Sequence, residues 1–193
     1  GRGGGVGRGG GTTFRKKGSV TRAGSSLFSA LSGGEGATGQ SEQPAINIGD
    51  YAGQSCDVFI EEITLALSSG DGDSEKIQSA MNHALVEALD GVEVFDPSVL
   101  TDDVIVDTML SYLSESIFLQ VVMDAGKAWT KAESPQKIQN AETALRQLIR
   151  VQVDNKMAPK VASGVKTMTS NTMTEIQQNV ITEVWQEWES YDD

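Results

Sequence analysis

From Ser55 onward, apolar residues return every three or four positions, the spacing that places them on one side of a helix. Phe59, Ile60, Ile63 and Leu67 form the first stripe, which ends at the Ser-Ser-Gly-Asp-Gly-Asp turn of residues 68–73. The second stripe, Ile77, Met81, Ala84, Leu85, Ala88 and Leu89, starts behind Asp73 or Ser74 as cap and stops at Gly91. The Phe95-Asp96-Pro97 loop then leads into the longest apolar segment, Thr101 to about Trp129. Its Val104, Ile105, Thr108, Met109, Tyr112, Leu113, Ile117, Leu119, Val121 and Val122 occupy more than one face, as a central helix requires.

Ser134 followed by Pro135 is a cap with proline at the first helical position, and Ile138, Ala141, Leu145, Leu148, Ile149 and Gln152 carry that helix to about Met157. After Pro159, a weaker segment with Val161, Val165 and Met168 precedes a last helix from about Thr172, with Ile176, Val180, Val184, Trp185 and Trp188 on its apolar side. Strand-like alternation is nearly absent. The pattern predicts an all-α body of five to six helices over residues 55–193.

Residues 1–54 read differently, as a flexible Gly/Arg-rich tail followed by a linker. Fourteen of the 21 glycines fall within residues 1–39. The first eleven residues have almost no side chains to bury against the backbone entropy that ordering would remove, so they are expected to be disordered on their own. Val20, Ala23, Leu27, Phe28, Ala30 and Leu31 recur at near-helical spacing and predict a short docking helix near residues 19–32. Residues 33–54 read as linker, with Ile46, Ile48 and Tyr51 as anchors onto the body.

Charge sharpens this division. Residues 1–22 carry +6 and no acid, while the whole chain carries −12, so the remainder sums to −18. A body this acidic repels nucleic acid and anionic membrane, and any phosphate affinity belongs to the tail. The single cysteine, Cys56, cannot form an internal disulfide, which suits a reducing compartment. No run approaches 18 consecutive apolar residues, and the basic N-terminus lacks an adjoining apolar core, so a cytoplasmic placement without membrane contact is expected.

Candidate chemistry is sparse. Gly5, Gly7 and Gly10 fit a dinucleotide-binding spacing, but neither the strand before it nor the helix after it is predicted. His83 has no second ligand at metal-binding spacing and reads as a half-buried structural histidine, and Cys56 reads as a small packing residue. Asp71-Gly72-Asp73-Ser74-Glu75 lacks the sixth-position glycine and closing glutamate of a calcium loop. Asp102, Asp103 and Asp107 fit as carboxylates complementing a helix N-terminus. Trp185, Trp188 and Tyr191 read as core closure near a chain end. The pattern therefore predicts no catalytic residue, metal or cofactor, and a chain that is not an enzyme. Arg2 and Arg8 among glycines, with Phe14, Arg15, Lys16 and Lys17, suit either RNA or single-strand binding or docking on an acidic protein groove.

Three strings carry a family resemblance: Thr21-Arg-Ala-Gly-Ser-Ser-Leu-Phe-Ser-Ala-Leu-Ser-Gly-Gly34, Phe95-Asp-Pro-Ser-Val-Leu-Thr-Asp-Asp-Val-Ile-Val-Asp-Thr-Met109 and Trp185-Gln-Glu-Trp-Glu-Ser-Tyr191. With them, most of residues 15–193 resembles the QatB component of bacterial Qat anti-phage systems. The resemblance implies an operon with an ATPase, a QueC-like enzyme and a TatD-like nuclease, in which this component is the one without recognisable catalytic residues. QueC-like enzymes activate a deazaguanine carboxylate with ATP and let an amine attack the adenylate. The α-amine of Gly1 is then the expected acceptor. Glycine presents no β-carbon, the following glycines suit a narrow site, and an α-amine titrates near about 7.7–8.0. On this implication Arg2, Gly3, Gly4, Gly5, Arg8, Phe14, Arg15, Lys16, Lys17, Leu27 and Phe28 form the partner-binding set.

Overall fold

The stripes become helices. In a computed structural model, which describes residues 11–33, 46–68, 73–125, 134–165 and 168–190, six α-helices follow one another: α1 (Gly11–Leu31), α2 (Cys56–Ser68), α3 (Ser74–Ala88), α4 (Asp102–Ala125), α5 (Pro135–Val161) and α6 (Ser170–Ser190). Short 3-10 turns at Ile48–Tyr51 and Pro97–Val99 precede α2 and α4. No strand is present among the described residues beyond an isolated bridge between Ser55 and Val94.

Helix α4 is the centre. Ile105, Met109, Leu110, Tyr112, Leu113, Ile117, Phe118 and Val121 are all buried, and α1, α3, α5 and α6 pack around it. By length and composition Asp102–Met123 could cross a membrane, yet 72% of that window is buried inside the protein. Interrupted by polar residues, this window is not a continuous apolar run, and its apolarity is used up by the neighbouring helices. The remaining contacts close the bundle, α2 on α3, α5 on α6 and α1 on α6.

Local signals explain most boundaries. Ser134 Oγ accepts from the Lys137 amide at 3.3 Å with Pro135 in the first turn, and Gly91 takes φ +81° just after α3, where a side chain would be strained. Asp73 stands at the cap position of α3 but its side chain makes no capping bond, pairing instead with Lys76 at 3.3 Å. Helix α5 runs past Pro159 to Val161, beyond the expected end near Met157. The proline stands in the terminal turn, where its missing amide removes one bond from a helix already ending. Helix α6 starts at Ser170, and the cap missed in the sequence is Thr169, whose Oγ1 accepts from the Thr172 amide at 3.2 Å.

The largest departure concerns the N-terminal segment. Ala23, Leu27, Phe28, Ala30 and Leu31 belong to the same core as the other five helices, so the helical body begins well before the expected boundary at residues 54/55. The linker anchors Ile46, Ile48 and Tyr51 also pack on this core. Around them, Phe59 and Phe95 stack with centroids 3.7 Å apart and Tyr51 meets Phe59 edge-on at 5.4 Å. Backbone bonds from Phe95 N to Gln54 O and from Gly53 N to Phe95 O hold the two loops together at 2.8 and 2.9 Å. Because Phe59 is fully buried, Phe59→Ala is expected to cost about 3–5 kcal/mol, read as a lower urea midpoint at unchanged slope.

Candidate functional site

The element that carries the N-terminal tail is fixed by an unusual set of contacts. A glycine inside a helix costs about 1 kcal/mol relative to alanine, so Gly24 in the middle of α1 needs a reason. A β-carbon there would collide with the Gln177 carboxamide and stand 2.7 Å from Tyr112 Cε1. Its absence lets α1 approach α6 and α4 closely enough for side chains to reach α1 backbone. Gln177 Nε2 donates to Thr21 O at 3.2 Å and to Ser25 Oγ at 2.9 Å, and Ser25 and Thr174 hydroxyls meet at 2.5 Å. Tyr112 donates its hydroxyl to Val20 O at 2.7 Å. Burial pushes the Tyr112 phenol above its ordinary pKa of 10.0.

These contacts explain part of the string at residues 21–34. Leu27 and Phe28, expected to meet a partner, are 0% and 1% exposed and pack internally instead. That removes both from the partner-binding surface, since they belong to the core. Phe14, Arg15, Lys16 and Lys17 lie along the first turns of α1, continuous with the anchored part of the helix. Gly1, Arg2, Gly3, Gly4, Gly5 and Arg8 lie outside the described residues, as do Tyr191 and the Asp71-Gly72 part of the acidic turn. Trp185 packs on the core edge as expected.

A second arrangement went unread in the sequence. His83 of α3, Ser111, Ser114 and Glu115 of α4, and Thr143, Arg146, Gln147 and Arg150 of α5 line a cleft of about 290 Å³. Glu115 is a carboxylate on the central helix, only 7% exposed, and Arg146 grips it twice, Nη2 to Oε1 at 3.0 Å and Nε to Oε2 at 3.2 Å. Arg146 also stacks 4.1 Å over the Phe118 ring. Arg150 pairs with Glu87, and His83 Nε2 stands 3.4 Å from Glu87 Oε2 and 4.0 Å from Glu115 Oε2. His83 thus bridges helices at the surface, with its side chain 48% exposed. The charges largely cancel, and the arrangement ties three helices together.

No group of three His, Cys, Asp or Glu comes together as a metal set among the described residues. Cys56 is buried, and burial followed by the nearby Asp57 raises its thiol pKa, the opposite of what a nucleophile needs. Asp102 and Asp103 stand in the first turn of α4, where their charge complements the helix dipole.

A family profile for the Qat anti-phage system associated protein QatB matches residues 9–188. The chain belongs to the QatB family. No curated protein and no solved structure matches it significantly. As a QatB-family protein it is associated with anti-phage defence, and the matched region runs from ahead of α1 to near the end of α6.

Two outcomes follow from the geometry of α1. Gly24→Ala is expected to destabilise the chain by about 1–3 kcal/mol despite alanine's better helix propensity, because the new methyl overpacks the α1–α6–α4 junction; thermal unfolding reads this directly. Tyr112 keeps its proton in the folded state at pH values where the unfolded phenol has lost it. Its contribution is therefore intact below about pH 10 and declines as pH rises beyond that. Tyr112→Phe should start roughly 1 kcal/mol less stable, through the lost bond to Val20, and show a shallower alkaline decline in denaturant titrations. In the cleft, Arg146→Met is expected to cost about 1–2 kcal/mol by leaving the Glu115 carboxylate without its fork, with Arg146→Lys recovering only part of it in the same assay.

Proposed function

We propose that this QatB-family protein is a non-enzymatic component of an anti-phage defence complex. It presents its N-terminal Gly/Arg-rich segment to a QueC-like partner enzyme and serves as acceptor of a covalent deazaguanine-type modification at Gly1. The observation that carries this reading is the locking of α1 into the core by bonds to its own backbone, at Val20 and Thr21. A segment attached to so fixed a helix starts from a rigid base. The sparse chemistry of the body agrees with a role as substrate or scaffold. In the proposed step, the neutral α-amine of Gly1 attacks the acyl-adenylate carbonyl, an amide forms, and AMP and a proton leave. The reading requires that Gly1 carry a free α-amine in the cell. The operon ATPase and TatD-like nuclease are further proposed partners.

Charge favours one alternative, a nucleic-acid-binding accessory role for residues 1–22, which carry +6 ahead of a body at −18. Mass analysis separates the two. In protein co-produced with the QueC-like partner and ATP, the N-terminal peptide is expected to gain the mass of one acylating base, and a partner with a disabled ATP site should leave it unchanged. An unmodified N-terminal peptide, or acylation at a lysine instead, removes the conjugation step. The accessory reading instead expects nucleic-acid binding that falls steeply with salt and disappears on deletion of residues 1–22.

A further inference from the structure

Between Arg22 and Lys127 the chain contains eighteen aspartates and glutamates but only one lysine and no arginine. Helix α2 lies within this stretch. Its inner side is spent on the core through Phe59, Ile60, Ile63 and Leu67. Its outer side carries Val58, Glu61, Glu62 and Leu65, spaced i, i+3, i+4 and i+7 and therefore on one stripe. Val58 is 39% and Leu65 52% exposed. Val94, at 59%, is paired through its backbone with Ser55, immediately ahead of the helix.

Single exposed apolar residues are ordinary on a protein surface. Here two stand one double turn apart and a third lies beside the helix start, framed by Asp57, Glu61, Glu62 and Glu93. None of these four carboxylates has an ion pair among the described residues; Glu62 takes the hydroxyl of Tyr51. Three acids on other helices are paired, Glu115 with Arg146, Glu87 with Arg150 and Glu183 with Lys160. The outer side of α2 thus combines apolar anchors with uncompensated negative charge.

We propose that this side of α2 is a docking surface for a partner protein presenting a cationic amphipathic helix, with leucine-like residues against Val58 and Leu65 and lysines or arginines against Glu61, Glu62 and Asp57. Charge complementarity selects this occupant. The acidic body of a second copy is repelled. The chain's own basic segment lacks a matching apolar pair, since Val6 and Phe14 are the only large apolar residues before Val20. The surface contains no residue of the N-terminal segment, so conjugation and docking are tested independently.

The test uses the full chain and a synthetic amphipathic leucine/lysine helical peptide of about 14 residues, with a scrambled peptide of identical composition as control. The helical peptide should bind at least about tenfold more tightly than the scrambled one and protect amides of residues 56–68 from hydrogen exchange. Val58→Ser with Leu65→Ser should weaken binding about tenfold, and Glu61→Lys with Glu62→Lys should do so further. Val151→Ser, at an exposed apolar position on α5, should leave it unchanged, and circular dichroism confirms that each variant is folded. Equal affinity for both peptides, or protection centred away from α2, overturns the proposal. A salt-sensitive dimer by sedimentation assigns the surface to a second copy, and stronger peptide binding after removal of residues 1–10 assigns it to the chain's own tail; either result also overturns it.

Discussion

A helix with no polar side has to be covered all the way round, and α4 is such a helix. Its buried residues run from Ile105 to Val121. Burying one large aliphatic side chain is worth about 1.5–3 kcal/mol, so leaving any flank of α4 open would forfeit a substantial part of the margin by which a domain stays folded. The requirement recruits α1, α3, α5 and α6 together. It also explains why a segment that looks like a tail and linker by composition contributes Leu27 and Phe28 to the centre of the protein.

Covering α4 completely has a cost, because four neighbouring helices bring their own polar groups inward. Two solutions are visible. Along α1 the inward groups are small or hydroxylic, and the Tyr112 hydroxyl and the Gln177 amide nitrogen donate to carbonyls of α1 that are already in helical bonds. Beside α5 the inward group is the carboxylate of Glu115, which needs a guanidinium fork to be tolerable. The first solution is compact and depends on the missing side chain at Gly24. The second stands beside a cleft lined by Arg146 and Arg150 of α5.

Helices α2 to α6 were legible because their apolar spacing has a period and their ends carry recognisable residues such as Ser134, Pro135 and Gly91. The role of α1 was harder to see. Gly24, Ser25 and Ser26 interrupt the apolar pattern, and they resemble a linker until Gln177, 152 positions from Ser25, is placed against them. The charged cleft was invisible for a similar reason, since Glu115 and Arg146 are 31 positions apart and periodicity says nothing about such pairs. Signals were present nonetheless. Glu115 is an acid inside an otherwise apolar run, and Arg146 and Arg150, the only arginines after residue 22, are one helical turn apart. The candidate residues ahead of α1 stand out by composition and resemblance alone, and no packing pattern in the sequence locates them.

The anchoring of α1 also sets a length scale. Ten residues precede Gly11, and a fully extended chain spans at most about 3.3–3.6 Å per residue, so Gly1 cannot stray more than roughly 35 Å from the start of the helix. Were α1 loose, that radius would grow by the length of another twenty residues and Gly1 would be diluted through a far larger volume. Seating α1 in the core therefore shortens the tether on Gly1, confining it to a smaller volume than a loose α1 would allow.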